Sequence, residues 1–293
     1  MNVERRVGQS AVALETTLLV HGLPAEASRA FANELAEIVR MNGAQPAVVG
    51  VVEGRAVCGL SESELESLID AGPDAIPKAN TANLGSLLFR GASAATTVSA
   101  TCEIAAATGV DVFATGGIGG VHRGYSERLD ISSDLMALAR FPVAVVASGV
   151  KSLLDVAATR EALETLGVPC VGFGTDRLPA FYLRDLGEDS GPPLDARFDD
   201  AGELAAFVRS ELARTGRGVL IGNPIPPEAE LAADDWARWL SDAEAIASNA
   251  SGRDVTPRVL AALHEVSGGA TLRANLELVR SNTRLAAALA AHP

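Results

Sequence analysis

Apolar positions recur at helical spacing through Ala25–Met41, where Phe31, Leu35, Ile38 and Val39 share one face, and the run stops at Gly43. Ala47–Val52 and Ala56–Leu60 predict a strand pair around a Glu53-Gly54 turn. Ser61-Glu62-Ser63-Glu64 has the spacing of a capping box and opens a helix that runs to Gly72. Thr96–Thr108 predicts a helix closed by Gly109. From there the pattern alternates. Val110–Thr115, Val143–Ser148, Val168–Gly172 and Gly218–Gly222 read as strands, and Ser132–Arg140, Lys151–Leu166 and Ala201–Thr215 as helices between them. Ala229–Ser248, Thr256–Val266 and Leu272–Ala291 carry helical spacing to the end of the chain. Only Phe173–Asp199, rich in Pro, Gly and Asp, has no clear period. It predicts a long excursion that serves as a lid or an oligomer contact.

Continuous apolar strands alternating with helices predict an α/β fold whose mostly parallel sheet is covered on both faces. The early hairpin adds an antiparallel part, so the sheet is mixed. We expect one domain over residues 1–293, although alternation alone leaves a TIM barrel open.

Composition narrows the function. Hydrophobic residues make up 48% of the 293-residue chain and charged residues 21%, which fits a globular protein. A formal charge of −13 argues against a nucleic-acid binder, although one phosphate could still be held locally. No apolar run is long enough to span a bilayer, and the N-terminus lacks a signal-peptide pattern. Cys58, Cys102 and Cys170 are few and without CxxC spacing, which fits a reduced, cytoplasmic protein with no zinc motif.

Of 24 basic residues only two are lysines, Lys78 and Lys151. Arginine replaces lysine readily on a surface, but not where an amine must lose its proton and attack carbon. Both lysines are therefore candidates for amine chemistry, with surface charge as the plain alternative. Ligands of α/β sheets bind beyond the carboxyl ends of the strands. Thr115-Gly116-Gly117-Ile118-Gly119-Gly120-Val121-His122-Arg123-Gly124 follows one such strand, and its glycines would let backbone N–H groups approach an anion. It is neither a Walker loop nor GxGxxG. Asp130 and Asp134 flank Ser132 at a helix start, where they could hold a hard cation or simply cap the helix. Lys151 follows an apolar strand, so its amine could be desolvated enough to form a Schiff base. Glu15 sits in the apolar run Ala13–Leu18, a setting that raises a carboxyl pKa and suits a general acid. His21 could line the same site or merely end the strand. His264 and His292 fall on C-terminal helices with no evident chemistry.

The segments ALETTLLVHGLP, ATTVSAT, FATGGIGGVHRG, DISSDL, VAVVASGVKSLLD, ETLGVPCVGFGTDRLPAFY, NPIP and LRANLELV together resemble the pseudouridine-5′-phosphate glycosidase family, also called indigoidine synthase A-like. The resemblance covers roughly residues 10–290. It implies a three-layer α/β/α fold, a homotrimer and a Mn²⁺-dependent enzyme. The implied reaction is reversible cleavage of the C–C glycosidic bond of pseudouridine 5′-phosphate to uracil and ribose 5-phosphate. By the same resemblance Glu15 matches the proton donor and Lys151 the Schiff-base lysine. Lys78 matches a second, substrate-contacting lysine, and Asp130 the metal ligand. Ser132, Ser133 and Asp134 match a substrate-contacting stretch, Thr97, Val98 and Asn275 base-side contacts, and His122 a histidine that reaches the phosphate.

The chain departs from the family's usual runs at Lys78–Gly85, where relatives carry K-V-S-R-R-D-L-P, and at Ala92–Val98, where they carry a K-N-G-A-T-T-V type run. Those lost charges leave the aglycone open. Some family members work as C-ribosyl synthases, joining ribose 5-phosphate to an aromatic acceptor. A class I aldolase acting on another sugar phosphate would also use Lys151, and a non-catalytic sugar-phosphate binder would need neither Glu15 nor Lys151.

Overall fold

The computed structural model describes residues 3–184, 191–246 and 255–292. The first half runs β1 (Val3–Arg5), β2 (Ala11–Glu15), α1 (Thr17–His21), α2 (Ala25–Met41), β3 (Gln45–Val52), β4 (Arg55–Cys58), α3 (Glu62–Ala75), β5 (Lys78–Ala79), α4 (Leu84–Phe89), β6 (Ala94–Thr96), α5 (Val98–Thr108) and β7 (Val112–Ala114). The second half runs β8 (Val121–His122), α6 (Tyr125–Arg128), α7 (Ser133–Arg140), β9 (Ala144–Ala147), β10 (Leu154–Asp155), α8 (Val156–Thr165), β11 (Cys170–Phe173), β12 (Ala196–Phe198), α9 (Ala201–Thr215) and β13 (Val219–Gly222). A 3-10 turn at Pro227–Ala229 then leads to α10 (Ala233–Ile246), α11 (Val255–Val266) and α12 (Ala270–Ala291).

The main sheet is ordered β1-β4-β3-β2-β7-β9-β13-β11-β12. Every neighbouring pair along it is parallel except β3 with β4; β6 also pairs antiparallel with β3 and carries β5 parallel beside it. The central strands are buried along nearly their whole length, as the continuous apolar runs require. Helices α2, α9 and α12 pack together on one face, and α5, α7 and α8 lie on the other. On α2 the buried side is Phe31, Leu35 and Val39, the predicted stripe. The sheet therefore has the mixed, mostly parallel α/β/α arrangement. Its two ends are the free edges β1 and β12, which rules out a closed barrel.

The predicted hairpin forms around Glu53 (φ 49°) and Gly54 (φ 75°), and the Ser61–Glu64 capping box is present. Several boundaries differ, and the following bear on the site. The helix after the capping box passes Gly72, which kinks it at φ 74°, and continues to Ala75. Thr96 ends strand β6, and the helix begins at Val98 with Thr97 as its cap. The Ala13–Leu18 run splits, so that β2 ends at Glu15 and α1 starts at Thr17. Lys151 is not helical. Leu154 and Asp155 pair with β8, and α8 starts only after Asp155, whose side chain accepts from the Ala158 N–H. Part of Phe173–Asp199 falls on residues 185–190, outside the described residues, as does the expected helix end at Ser248. Leu178, Ala180, Phe181 and Tyr182 of that excursion are buried in the core, so this stretch is a wall of the molecule and not a lid over it.

Candidate active site

The carboxyl ends of β2, β7 and β9 open onto one cavity of about 300 Å³. Glu15, Lys78, Lys151 and Asn275 all line it.

Glu15 is the last residue of the central strand β2. The chain must turn sharply there, and buried threonines hold the turn. Thr16 Oγ1 donates to the Val49 carbonyl at 3.0 Å, and the Thr96 N–H donates to Thr16 Oγ1 at 2.8 Å. Thr115, at the end of the neighbouring strand, donates its hydroxyl to the Glu15 carboxylate. Burial raises the Glu15 pKa, opposed by the Lys151 charge and then by the Thr115 hydrogen bond. The environment thus favours the protonated acid.

Lys78 stands at the cavity mouth on the short strand β5, exposed along part of its length. Its pKa is lowered, first by desolvation and then by the charge of Lys151, with Glu15 acting in the opposite sense. Two amines and one carboxyl are therefore electrostatically coupled around a single space.

Lys151 lies in a loop stitched to the glycine-rich loop after β7. Ser148 N–H donates to the Gly116 carbonyl at 2.9 Å, Ile118 N–H to Gly149 at 3.0 Å and Lys151 N–H to Ile118 at 3.1 Å. Gly149 has φ +72°, and a Cβ on it would stand 1.8 Å from the Pro179 carbonyl oxygen. Only glycine fits there.

Packing requires two glycines of the glycine-rich loop. A Cβ on Gly119 would stand 2.3 Å from Ser132 Oγ, and one on Gly120 2.3 Å from Thr159 Oγ1. Several of its N–H groups are taken. Gly119 donates to Asp134 Oδ2 at 2.8 Å, Val121 to Thr159 Oγ1 at 2.9 Å and His122 to the Asp130 carbonyl at 3.0 Å. Among the described residues, the Gly116 and Gly117 N–H groups donate no hydrogen bond, and both residues line the cavity. Those two N–H groups are open donors on the cavity wall.

The other candidates sit behind the wall. Asp134 is buried, and its carboxylate accepts from Ser99 N–H at 3.0 Å as well as from Gly119, so it ties α5 to the glycine-rich loop. Ser132 caps α7, and Ser133 Oγ lies 2.9 Å from Ser99 Oγ. Thr97 donates its hydroxyl to the Ala79 carbonyl at 2.9 Å, and Val98 is buried in the core. None of these five residues lines the cavity, nor do His122 and Asp130.

Asp130 Oδ2 lies 3.8 Å from His122 Nδ1, with side-chain exposures of 59% and 30%. Among the described residues no three or more His, Cys, Asp or Glu side chains gather to hold a metal. One carboxylate and one imidazole facing solvent fit a hard divalent ion that keeps most of its water, and not a dehydrated cage.

The cavity also recruits residues that sequence reasoning passed over. His264 of α11 lines it, with Nδ1 2.9 Å from Thr271 Oγ1. Phe181 and Tyr182 enter from the aperiodic excursion. His21 lines the cavity as well. Its Nε2 is buried without a hydrogen-bond partner, and desolvation followed by the Lys78 charge lowers its pKa, which keeps the imidazole neutral.

The family described as "Indigoidine synthase A like protein" matches residues 3–292. The chain belongs to the indigoidine synthase A-like family. Curated relatives named pseudouridine-5′-phosphate glycosidase include one from Jannaschia sp. (strain CCS1), 45% identical over 98% of this chain and 94% of its own length. Another, from Myxococcus xanthus (strain DK1622), is 44% identical over 97% of this chain and 93% of its own. Among solved structures, an indigoidine synthase A-like protein from Thermotoga maritima superimposes with a TM-score of 0.88 at 37% identity, covering 99% of this chain and 96% of that one. The prealnumycin C-glycosynthase AlnA, in complex with ribulose 5-phosphate, superimposes with a TM-score of 0.85 at 34% identity, covering 96% and 91%. For an indigoidine synthase A-like chain, then, the acid, both lysines and Asn275 meet on one cavity, and Ser132, Ser133, Asp134 and Thr97 lie outside its lining.

Proposed function

We propose that this protein is a pseudouridine-5′-phosphate glycosidase, cleaving the C–C glycosidic bond to uracil and ribose 5-phosphate through a Schiff base on Lys151. The observation that carries this reading is the convergence of Glu15, Lys78 and Lys151 on one cavity in which burial favours protonated Glu15. The 44–45% identity to relatives bearing that name supports the substrate.

A carbon leaving group makes direct hydrolysis unfavourable, so the sugar ring opens first. The Lys151 amine bonds to C1′ as the C1′–O4′ bond breaks, and Glu15 gives its proton to O4′. The new C1′ ammonium gives up one proton, and the base carbon C5 gains one. The nitrogen lone pair then forms an iminium with C1′, and the C1′–C5 bonding electrons restore the uracil ring. Water hydrolyses the iminium to ribose 5-phosphate, and the proton released returns to the Glu15 carboxylate. Lys78 orients the sugar, and repulsion between two ammonium groups on one cavity favours one neutral amine in the pair. Asn275 contacts the base.

Mn²⁺ is the metal we assign, with Asp130 as the residue that would hold it and His122, 3.8 Å away, as the residue that reaches the phosphate. When bound it supplies positive charge for the substrate phosphate. Ser132, Ser133 and Asp134, with Thr97 and Val98, shape the site from behind. We assign a homotrimer in the cytoplasm. Leu129, Ile131 and Met136 are exposed apolar side chains on one stretch of chain, available to a subunit contact, and the three cysteines are free thiols.

The synthase direction is the second reading. AlnA's similarity favours it, because a Lys151 iminium run backwards would capture an aromatic carbon. The deciding experiment follows loss of pseudouridine 5′-phosphate with and without Mn²⁺, then offers ribose 5-phosphate with uracil or with aromatic acceptors. Cleavage and resynthesis with uracil support the glycosidase. Coupling only to aromatic acceptors selects the synthase, and turnover of neither rejects both.

A further inference from the structure

We propose that Phe181 is the stacking wall on which the flat aglycone packs, beside the Asn275 that the family resemblance already places on the base side. The inference rests on the reaction proposed above and extends it to a residue and a shape.

Phe181 is held in an unusual way. Its φ is +63°, a left-handed conformation rarely taken by a bulky residue and concentrated at functional sites. Its N–H donates to the Ser148 carbonyl at 2.8 Å, and Ala180 N–H donates to Leu183 at 3.1 Å, closing a tight turn. That turn is wedged into gaps in both loops that follow the central strands. A Cβ on Gly149 would strike the Pro179 carbonyl, and a Cβ on Gly117 would stand 2.5 Å from Phe181 Cδ2. One strained backbone and two obligatory glycines thus combine to set one ring on the cavity wall. Filling a core needs none of these.

The neighbouring backbone position defines what the ring faces. A Cβ on Gly116 would stand 3.0 Å from Asn275 Oδ1 and 3.2 Å from Val279 Cγ2, and all three residues line the cavity. An aromatic ring against Gly117 and a side-chain amide against Gly116 therefore line the same cavity. A flat ring with N–H and C=O groups on its edge matches that pair, since its face packs on Phe181 and its edge bonds to the Asn275 amide. A sugar phosphate has no face to offer there. Lys151 follows Gly149 by two residues, so the subsite adjoins the proposed reaction centre.

The test separates base from sugar. Phe181→Leu keeps apolar bulk and removes the ring, while Phe181→Tyr keeps the ring. Uracil affinity and KM for pseudouridine 5′-phosphate are measured for each. Borohydride trapping of ribose 5-phosphate on Lys151 is titrated in parallel. The expected result for Phe181→Leu is a loss of about tenfold or more in uracil affinity and a matching rise in KM, as for a lost base–aromatic stack. The ribose 5-phosphate concentration giving half-maximal trapping stays within about twofold of wild type, and Phe181→Tyr restores the base terms. Equal loss of sugar trapping and base binding, or no loss of either in a folded Phe181→Leu protein, overturns the proposal. Wild-type protein that traps no ribose 5-phosphate overturns the reaction itself, a different result from trapping that is intact but indifferent to Phe181.

Discussion

Asn282, in the middle of α12, donates its side-chain N–H to the Thr115 carbonyl oxygen at 2.7 Å and to Ser148 Oγ at 3.2 Å. Its own carbonyl oxygen accepts from Asn223 Nδ2 at 2.9 Å. One fully buried amide thus joins a helix to the ends of β7, β9 and β13, the strands beneath the reaction cavity. Asn282→Leu should destabilise the protein by about 2–4 kcal/mol, because it leaves buried polar groups unpaired on several strands at once. Urea unfolding measures this. A loss below about 1 kcal/mol would show that the network is not holding the floor.

Lys151 is the predicted nucleophile, with Lys78 as the rival amine. Borohydride reduction with ribose 5-phosphate should leave an adduct whose mass maps to the peptide containing Lys151. Lys151→Ala should lower kcat by at least about 1,000-fold, and Lys151→Arg should not rescue it, since a guanidinium stays protonated. An adduct on the Lys78 peptide would reverse the assignment of the two lysines.

Glu15 acts as an acid, so its protonated form is the active one. Activity should hold below its raised pKa and fall as the pH climbs through it. Glu15→Gln should lower kcat by about 100- to 10,000-fold and remove that basic limb. The same substitution should raise stability. A carboxyl whose folded pKa lies above its unfolded value opposes folding increasingly as pH rises past the unfolded value, and a neutral amide does not. Thermal unfolding at pH 5 and pH 8 checks the sign: the advantage of the Gln variant should be larger at pH 8.

Asp134 should behave as a brace. Asp134→Asn turns one acceptor towards an N–H donor and should cost about 1–3 kcal/mol of stability, through strained contacts at Ser99 and Gly119. Steady-state kinetics should show kcat falling with the displaced loop. A selective rise in KM with unchanged unfolding would instead place the carboxylate on the substrate.

Metal dependence should be mild and restorable. Chelation should depress activity, added Mn²⁺ should recover it, and Asp130→Ala should raise the Mn²⁺ concentration for half-activation by roughly tenfold. Unchanged metal response in Asp130→Ala would move the cation elsewhere.

Much of this molecule was legible without coordinates. The hairpin at Glu53-Gly54, the capping box at Ser61–Glu64 and the α2 stripe are local. They depend on turn chemistry and on periodicities that a few residues carry by themselves. Continuous apolar strands alternating with helices likewise dictated a buried parallel sheet, and the scarcity of lysine singled out two amines that now line one cavity. What the sequence could not contain was the approach of distant segments. Lys151 has helical neighbours in sequence, yet pairing of Leu154 with His122 and the gap at Gly149 hold it in a loop. His264 looked like an ordinary helix residue until α11 placed it over the cavity, and Phe181 lay in a stretch with no period to read. Asp134 and the glycine-rich loop carried the signs of ligand binding, but tertiary packing spends most of their hydrogen bonds on each other. Periodicity records which face of an element is buried. Which polar groups then satisfy one another, and which are left for a ligand, is decided only when the elements meet.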